Sequence, residues 1–158
     1  MGNNWLGPLA DKKVVVIRTR SELGEENVNG QLIRGHLRIR KAMIEQGIYQ
    51  DECPDHSKGT NDYVYEAGRW CWKANLYRAM QAQYVIITIE QEICGIYENL
   101  KWSNACSNCP QRETKCPLPK ERILFTGTPV SDCSISALIG KYIPSGLISQ
   151  NPVKYINM

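Results

Sequence analysis

The chain has 158 residues, 42% of them hydrophobic and 22% charged, which is the balance of an ordinary globular protein and suits one domain with its own core. Its formal net charge of +3 is too small to predict that it coats a nucleic-acid duplex by charge alone. Seven cysteines, an odd number, argue against a disulfide framework and leave packing, metal binding or redox chemistry for the thiols.

The opening MGNNWLGPLADKK has no basic stretch followed by an apolar one, so no secretory signal is expected. Leu6 stands where a myristoylation signal needs Ser or Thr. No run reaches the roughly 20 apolar residues of a membrane span. The expected location is the cytoplasm, with no membrane partner.

The β-branched run KKVVVIRTR at 12–20 predicts a buried strand. Polar, glycine-bearing 21–30 predicts a loop. Over 31–49, Leu32, Ile33, His36, Ile39, Met43 and Ile44 recur near helical spacing, against the helix-weakening Gly35. Residues 50–61 predict another loop. Asn61 or Asp62 is a candidate cap for a helix running through Lys73.

A shorter helical piece is expected at 75–83. YVIITIEQEICGIYE at 84–98 predicts two strands around a turn at Glu90-Gln91-Glu92. Residues 101–121, rich in Cys, Pro and polar side chains, predict a loop, and RILFTG at 122–127 a third core strand. A helix is expected over 131–143, with Ile135, Leu138, Ile139 and Tyr142 on one face. NPVKYINM predicts a short closing strand, with Pro152 at its start. Short strands with interspersed helices and no glycine-rich βαβ turn predict an α+β fold in one domain over 1–158.

Several of these residues carry a resemblance. Glu66, Ala67, Arg69, Trp72 and Lys73, then Gln83, Tyr84 and Val85, then Gly95, Ile96 and Tyr97 follow in order. With LIGKYI at 138–143 and SQNPVKYIN at 149–157, they resemble small prokaryotic and phage-associated proteins with EVE- or PUA-like domains. The similarity covers about two thirds of the chain; Trp70 and Cys71 depart from the pattern, and 21–60 and 103–119 stand as insertions. The resemblance implies a PUA/EVE-like mixed pseudo-barrel with packed helices that binds a base or nucleotide without chemistry.

Arg69, Trp70, Trp72, Lys73 and Tyr77 form an aromatic and basic cluster. Indole faces stack on bases at roughly 1–3 kcal/mol each, and Arg adds planar contacts to base or phosphate. On a helix, positions 70 and 72 point about 200° apart, so one indole is expected in the core and the other at a ligand. Asn151 and Lys154 near the closing strand are candidates for base-edge or phosphate contacts.

Arg34, Arg38 and Lys41 fall on neighbouring helical positions and are candidate phosphate contacts, with a solvated helix face as the plainer reading. His36, among apolar positions, reads as packing.

Cys106, Cys109 and Cys116 give C-x2-C-x6-C, and Cys53 with His56 repeats the two-residue gap. That gap lets two ligands reach one tetrahedral ion. Both groups fall in the insertions, which points to a shared structural zinc; incidental thiols in a polar loop and an iron–sulfur cluster are the alternatives. Cys94 and Cys133 read as buried packing thiols.

Gly-Ile-Tyr occurs at 47–49 and 95–97 and resembles the opening of GIY-YIG nucleases, yet LIGKYI is present where Tyr-Ile-Gly is needed. G-x-S-x-G, P-loop and H-E-x-x-H motifs are absent from the sequence.

The leading expectation is non-catalytic recognition of a nucleobase or nucleotide. The base is either a modified one in nucleic acid or part of a free signalling nucleotide sequestered as by a phage anti-defence sponge. A metal-dependent nuclease or nucleotide hydrolase and a protein-interaction inhibitor are the competing readings. A homo-oligomer is compatible with all three.

Overall fold

A computed structural model of the chain describes residues 4–19, 26–28, 31–33, 63–68, 70–104, 122–147 and 151–158. Asn4–Leu9 forms a 3-10 turn kinked at Gly7, whose φ of 52° suits glycine. Strand β1 follows at Val14–Thr19, then β2 (Glu26–Val28), β3 (Gln31–Ile33), helix α1 (Tyr63–Gly68), β4 (Trp70–Lys73) and α2 (Leu76–Ala79). The second half holds β5 (Tyr84–Ile89), β6 (Glu92–Asn104), β7 (Arg122–Pro129), α3 (Cys133–Ser136), a 3-10 turn at Ser145–Leu147 and β8 (Val153–Ile156).

Six strands join in the order β4-β7-β6-β5-β1-β8, and β2 pairs with β3 in a separate two-stranded ladder. Strand β1 runs parallel to β5, with Val14 beside Tyr84 and Thr19 beside Ile89. The other pairs of the large sheet are antiparallel.

The sheet curls into a nearly closed barrel, and its packing shows how. One apolar cluster takes residues from all six strands: Val15 and Ile17, Trp72, Val85 and Ile87, Tyr97 and Trp102, Ile123 and Phe125, and Val153. Only a curled sheet lets its first and last strands share one interior. The segment that follows β4, at one end of the order, reaches Tyr155 of β8, at the other end. The Asn75 N–H donates to the Tyr155 hydroxyl (3.2 Å), and the Arg78 guanidinium lies over the Tyr155 ring, 4.2 Å from its centre.

The opposite face is covered as well. Leu6 and Leu9 of the 3-10 turn, Ile135 and Leu138 around α3, and Ile143 pack on Val14, Val16, Ile86, Ile93, Ile96 and Ile156. Apolar cover on both faces explains why β1 and β5 are near-continuous β-branched runs with no polar alternation.

The fold is therefore mixed α+β, as the sequence predicts, and the strands expected at 12–20, 84–98, 122–127 and the C-terminal stretch are present. Glu90, the first residue of the two-residue turn between β5 and β6, has φ 55°, the left-handed geometry such turns use.

Five expectations change. The helix expected through Lys73 stops at Gly68, and 70–73 pairs with β7 as an edge strand. Gly68 sits so tightly on Ile87 that a β-carbon there would overlap it, and the aromatic residues that follow favour a strand.

Residues 31–33, expected to open a helix, pair with 26–28, expected in a loop. Asn29-Gly30 between them is the strongest short hairpin signal in the sequence and outweighs the helical spacing. Strand β6 runs to Asn104, inside the stretch read as loop.

The helical piece at 75–83 is only Leu76–Ala79, capped by the Asn75 side chain. The helix expected over 131–143 is only Cys133–Ser136. The chain turns at once, reaching φ 97° at Gly140, so Ile139 and Tyr142 are exposed while Ile135 and Leu138 are buried.

Among the described residues no helix is long and apolar enough to cross a membrane.

Candidate functional site

The aromatic and basic cluster falls on β4 and α2, at one end of the strand order. Trp72 is its inward member. It is 3% exposed and belongs to the barrel core. Its indole Nε1–H donates to the Gly68 carbonyl at 2.6 Å, which satisfies one of the free carbonyls at the end of α1. Trp72 is thus the core indole of the pair, sealed away from any stacking partner.

Trp70 lies opposite Leu124 and Trp72 opposite Ile123, with a register shift between them. Arg69 lies outside the described residues.

Lys73 ends the strand in solvent, and Tyr77 on α2 is 80% exposed. Tyr142, on the far side of α3 in the sequence, is the other strongly exposed ring among the described residues, at 68%. By contrast, Tyr65, Tyr97, Phe125 and Trp102 form a chain of ring contacts with centres 5.1 to 6.3 Å apart. The Tyr65 hydroxyl also accepts the Gly127 N–H at 3.2 Å, which pins α1 onto the barrel where β6 and β7 fall out of register. Met80, one turn beyond Tyr77, is 57% exposed.

Arg78, next to Tyr77, is exposed too. Its guanidinium rests on Tyr155 and donates at 3.2 Å to the main-chain oxygen of Met158, the last residue of the sequence. The sequence signal for Arg78 is its adjacency to Tyr77 on a short helix.

Asn151 is exposed, and its side-chain oxygen accepts the Val153 N–H at 3.0 Å, so it starts β8. Lys154 is half-buried on β8 opposite Val16, in a strand whose neighbours Val153 and Tyr155 pack in the barrel.

Arg34, Arg38, Lys41 and His36 lie outside the described residues, as do the proposed metal ligands Cys53, His56, Cys106, Cys109 and Cys116. Among the described residues there is no group of three or more His, Cys, Asp or Glu side chains that could hold a metal.

The thiols at 94 and 133 correct an expectation. Cys133 is exposed at the start of α3, where the polar cap turns it outward, and Cys94 is only half-buried. Cys94 falls where β6 slips against β5, between Ile93 and Gly95, so strand alternation does not bury it. It lines a cleft of about 130 Å³ with Gly95, Ile96, Val130, Ser136 and Ile139.

Gly95, Ile96 and Tyr97 are a core stretch of β6, with Tyr97 2% exposed against Tyr65. Asp132 caps α3 by accepting the Ser134 N–H and hydroxyl, and these bonds hold its carboxyl below the usual aspartate range.

No protein-family model, curated protein or solved structure matches the chain.

Proposed function

We propose that the chain is a non-catalytic binding protein for a nucleobase or nucleotide, built on a pseudo-barrel of PUA/EVE-like kind. The observation that carries this reading is the exposure of Tyr77, at 80%, one residue from the exposed Arg78 and four from the exposed Lys73. A ring open to solvent beside positive charge offers what a flat, electron-rich, anionic guest needs: a face to stack on and charge to hold it. Trp72 supports this segment from the barrel interior. The resemblance of the sequence to EVE- and PUA-like proteins points the same way.

Stacking on an open surface favours a guest whose base is already unpaired, either free or extruded from a strand. Sequestration of a free signalling nucleotide, in the manner of a phage anti-defence sponge, is the form of this proposal that suits the mild net charge. A structural zinc held by Cys106, Cys109 and Cys116 with Cys53 or His56 is a separate proposal from the sequence, decided by elemental analysis of the purified protein.

Native mass spectrometry of protein purified from cells, followed by calorimetric titration with nucleosides, nucleotides and short oligonucleotides, tests the reading. A retained nucleotide, or saturable binding weakened by Tyr77→Ala, is expected. Turnover of any of these compounds, or no binding at millimolar concentration, overturns it.

A further inference from the structure

We infer that residues 155–158 form a strap across the seam between β4 and β8, and that the barrel opens there, by release of the strap together with α2, before the rest of the sheet comes apart. This is a device of the fold, whether or not Tyr77 stacks on a base.

In the order β4-β7-β6-β5-β1-β8, each inner strand pairs on both sides. Among the described residues β4 pairs with β7 alone and β8 with β1 alone. Yet both end strands feed the same interior, through Trp72 and Val153. Where a backbone ladder would close the ring, half-buried side chains cover the gap. Ala74 and Leu76 come from the segment after β4, and Tyr155 and Met158 from β8 and the residues that follow it.

The polar contacts across the seam join two short stretches. The Asn75 N–H donates to the Tyr155 hydroxyl at 3.2 Å, and the Arg78 guanidinium lies on the same ring. One Arg78 Nη donates to the main-chain oxygen of Met158 at 3.2 Å. A third anchor holds the strap from another side. The Asn157 Nδ2 donates to the carbonyls of Ala10 at 2.9 Å and Lys12 at 2.8 Å, in the turn before β1. Asn157 has φ 60°, a left-handed geometry that asparagine tolerates and that bends the chain off the line of β8.

These hydrogen bonds all lie at exposed positions, where water replaces a lost partner at small cost. Strands β1 and β5, by contrast, are buried on both faces. The seam is therefore the part of the barrel whose closure is easiest to undo. The anchors fall within four consecutive residues, so freeing one loosens the backbone on which the others depend. Opening uncovers Trp72 and Val153 and makes the seam the way into the apolar interior.

Native-state amide hydrogen exchange on the full chain, followed over a range of low urea concentrations, tests this. The reporters on one side are Ala79 and Met80, whose N–H groups donate to the Asn75 and Leu76 carbonyls at 3.0 and 2.9 Å. Those on the other side are the amides of β8. Both sets are expected to share one opening free energy and one urea dependence, shallower than that of the β5 amides. Separate urea dependences for the two sides would mean that each edge frays alone, and a shared dependence as steep as that of β5 would mean that the seam opens only with the whole barrel. Either result overturns the inference.

Asn157→Gly is the matching variant, because glycine keeps the left-handed backbone while removing the side chain that bonds Ala10 and Lys12. It is expected to speed exchange on both sides of the seam by the same factor, on the order of fivefold. Acceleration confined to β8, with Ala79 and Met80 unchanged, would show that the strap and α2 do not open together.

Discussion

The indole N–H of Trp72 reaches back four residues to the carbonyl of Gly68, 2.6 Å away, across the junction where α1 becomes β4. One hydrogen bond thereby joins the end of a helix to the strand that replaces it, and the same indole fills the barrel. Trp72→Ala removes both and is expected to lose about 3–5 kcal/mol of stability in urea denaturation. Tyr77→Ala, on the exposed side of the same segment, is expected to stay within about 0.5 kcal/mol of the parent protein. Loss of ligand binding in the Tyr77 variant with an unchanged denaturation midpoint separates the surface aromatic from the structural one.

Gly68 is the other half of that junction. A β-carbon there would run into the side chain of Ile87, which is itself fully buried in β5. Gly68→Ala is expected to cost about 1–3 kcal/mol by overpacking. Ile87→Val in the same chain removes a methyl group from the contested space. The double variant is expected to be more stable than the sum of the two single losses predicts, and simple additivity would show that the two positions do not compete.

The strands were legible because β-branched residues crowd them. VVVIRT and YVIITI are covered on both faces, and a doubly covered strand needs no alternation to be recognised. The 62–73 segment misled because Val64, Ala67, Gly68 and Cys71 also fit a helix stripe; what ends the helix is the contact of Gly68 with Ile87, a residue nineteen positions away, which no local pattern encodes. The same cause hid the fate of the two indoles. Helical geometry separates 70 from 72 by angle, whereas the strand's place is set by pairing with β7 and by the slip between them. The exposure of Tyr77 is equally non-local, since Leu76 and Ala79 take the inward side of a helix only four residues long. The hairpin at 26–33 is a different case: Asn29-Gly30 announces it locally, in competition with the longer helical period of 31–49.

Asp132 gives a prediction in pH. Its carboxylate accepts the Ser134 hydroxyl at 2.6 Å and the Ser134 N–H at 2.8 Å, and these bonds favour the charged form and lower its pKa. A carboxyl whose pKa is lower folded than unfolded contributes stability above its unfolded value and loses it as the pH falls through the folded one. Asp132→Ala is therefore expected to be less stable than the parent at pH 7. The gap is expected to begin narrowing below about pH 4, where an unfolded aspartate takes up its proton, and to close as the folded carboxylate, held lower, protonates in turn. Thermal unfolding of both proteins between pH 7 and pH 2.5 checks this; a gap that does not change with pH would show that the charge contributes nothing to the cap.

Trp102 and Trp72 are both buried in the same cluster, yet their N–H groups have different fates. Trp72 donates to Gly68, while the Trp102 Nε1–H is buried with no partner among the described residues. Replacing either by Phe shortens the side chain by a similar volume and removes one N–H. At position 72 the change leaves the Gly68 carbonyl without its donor. At position 102 it relieves an unpaired donor whose burial already costs about 1–3 kcal/mol. Trp102→Phe is thus expected to destabilise the protein less than Trp72→Phe, by about 1–3 kcal/mol in chemical denaturation. Equal losses would mean that the Trp102 N–H meets an acceptor in solution, such as a bound water, and hydrogen exchange of the two indole protons would then show both protected to the same degree.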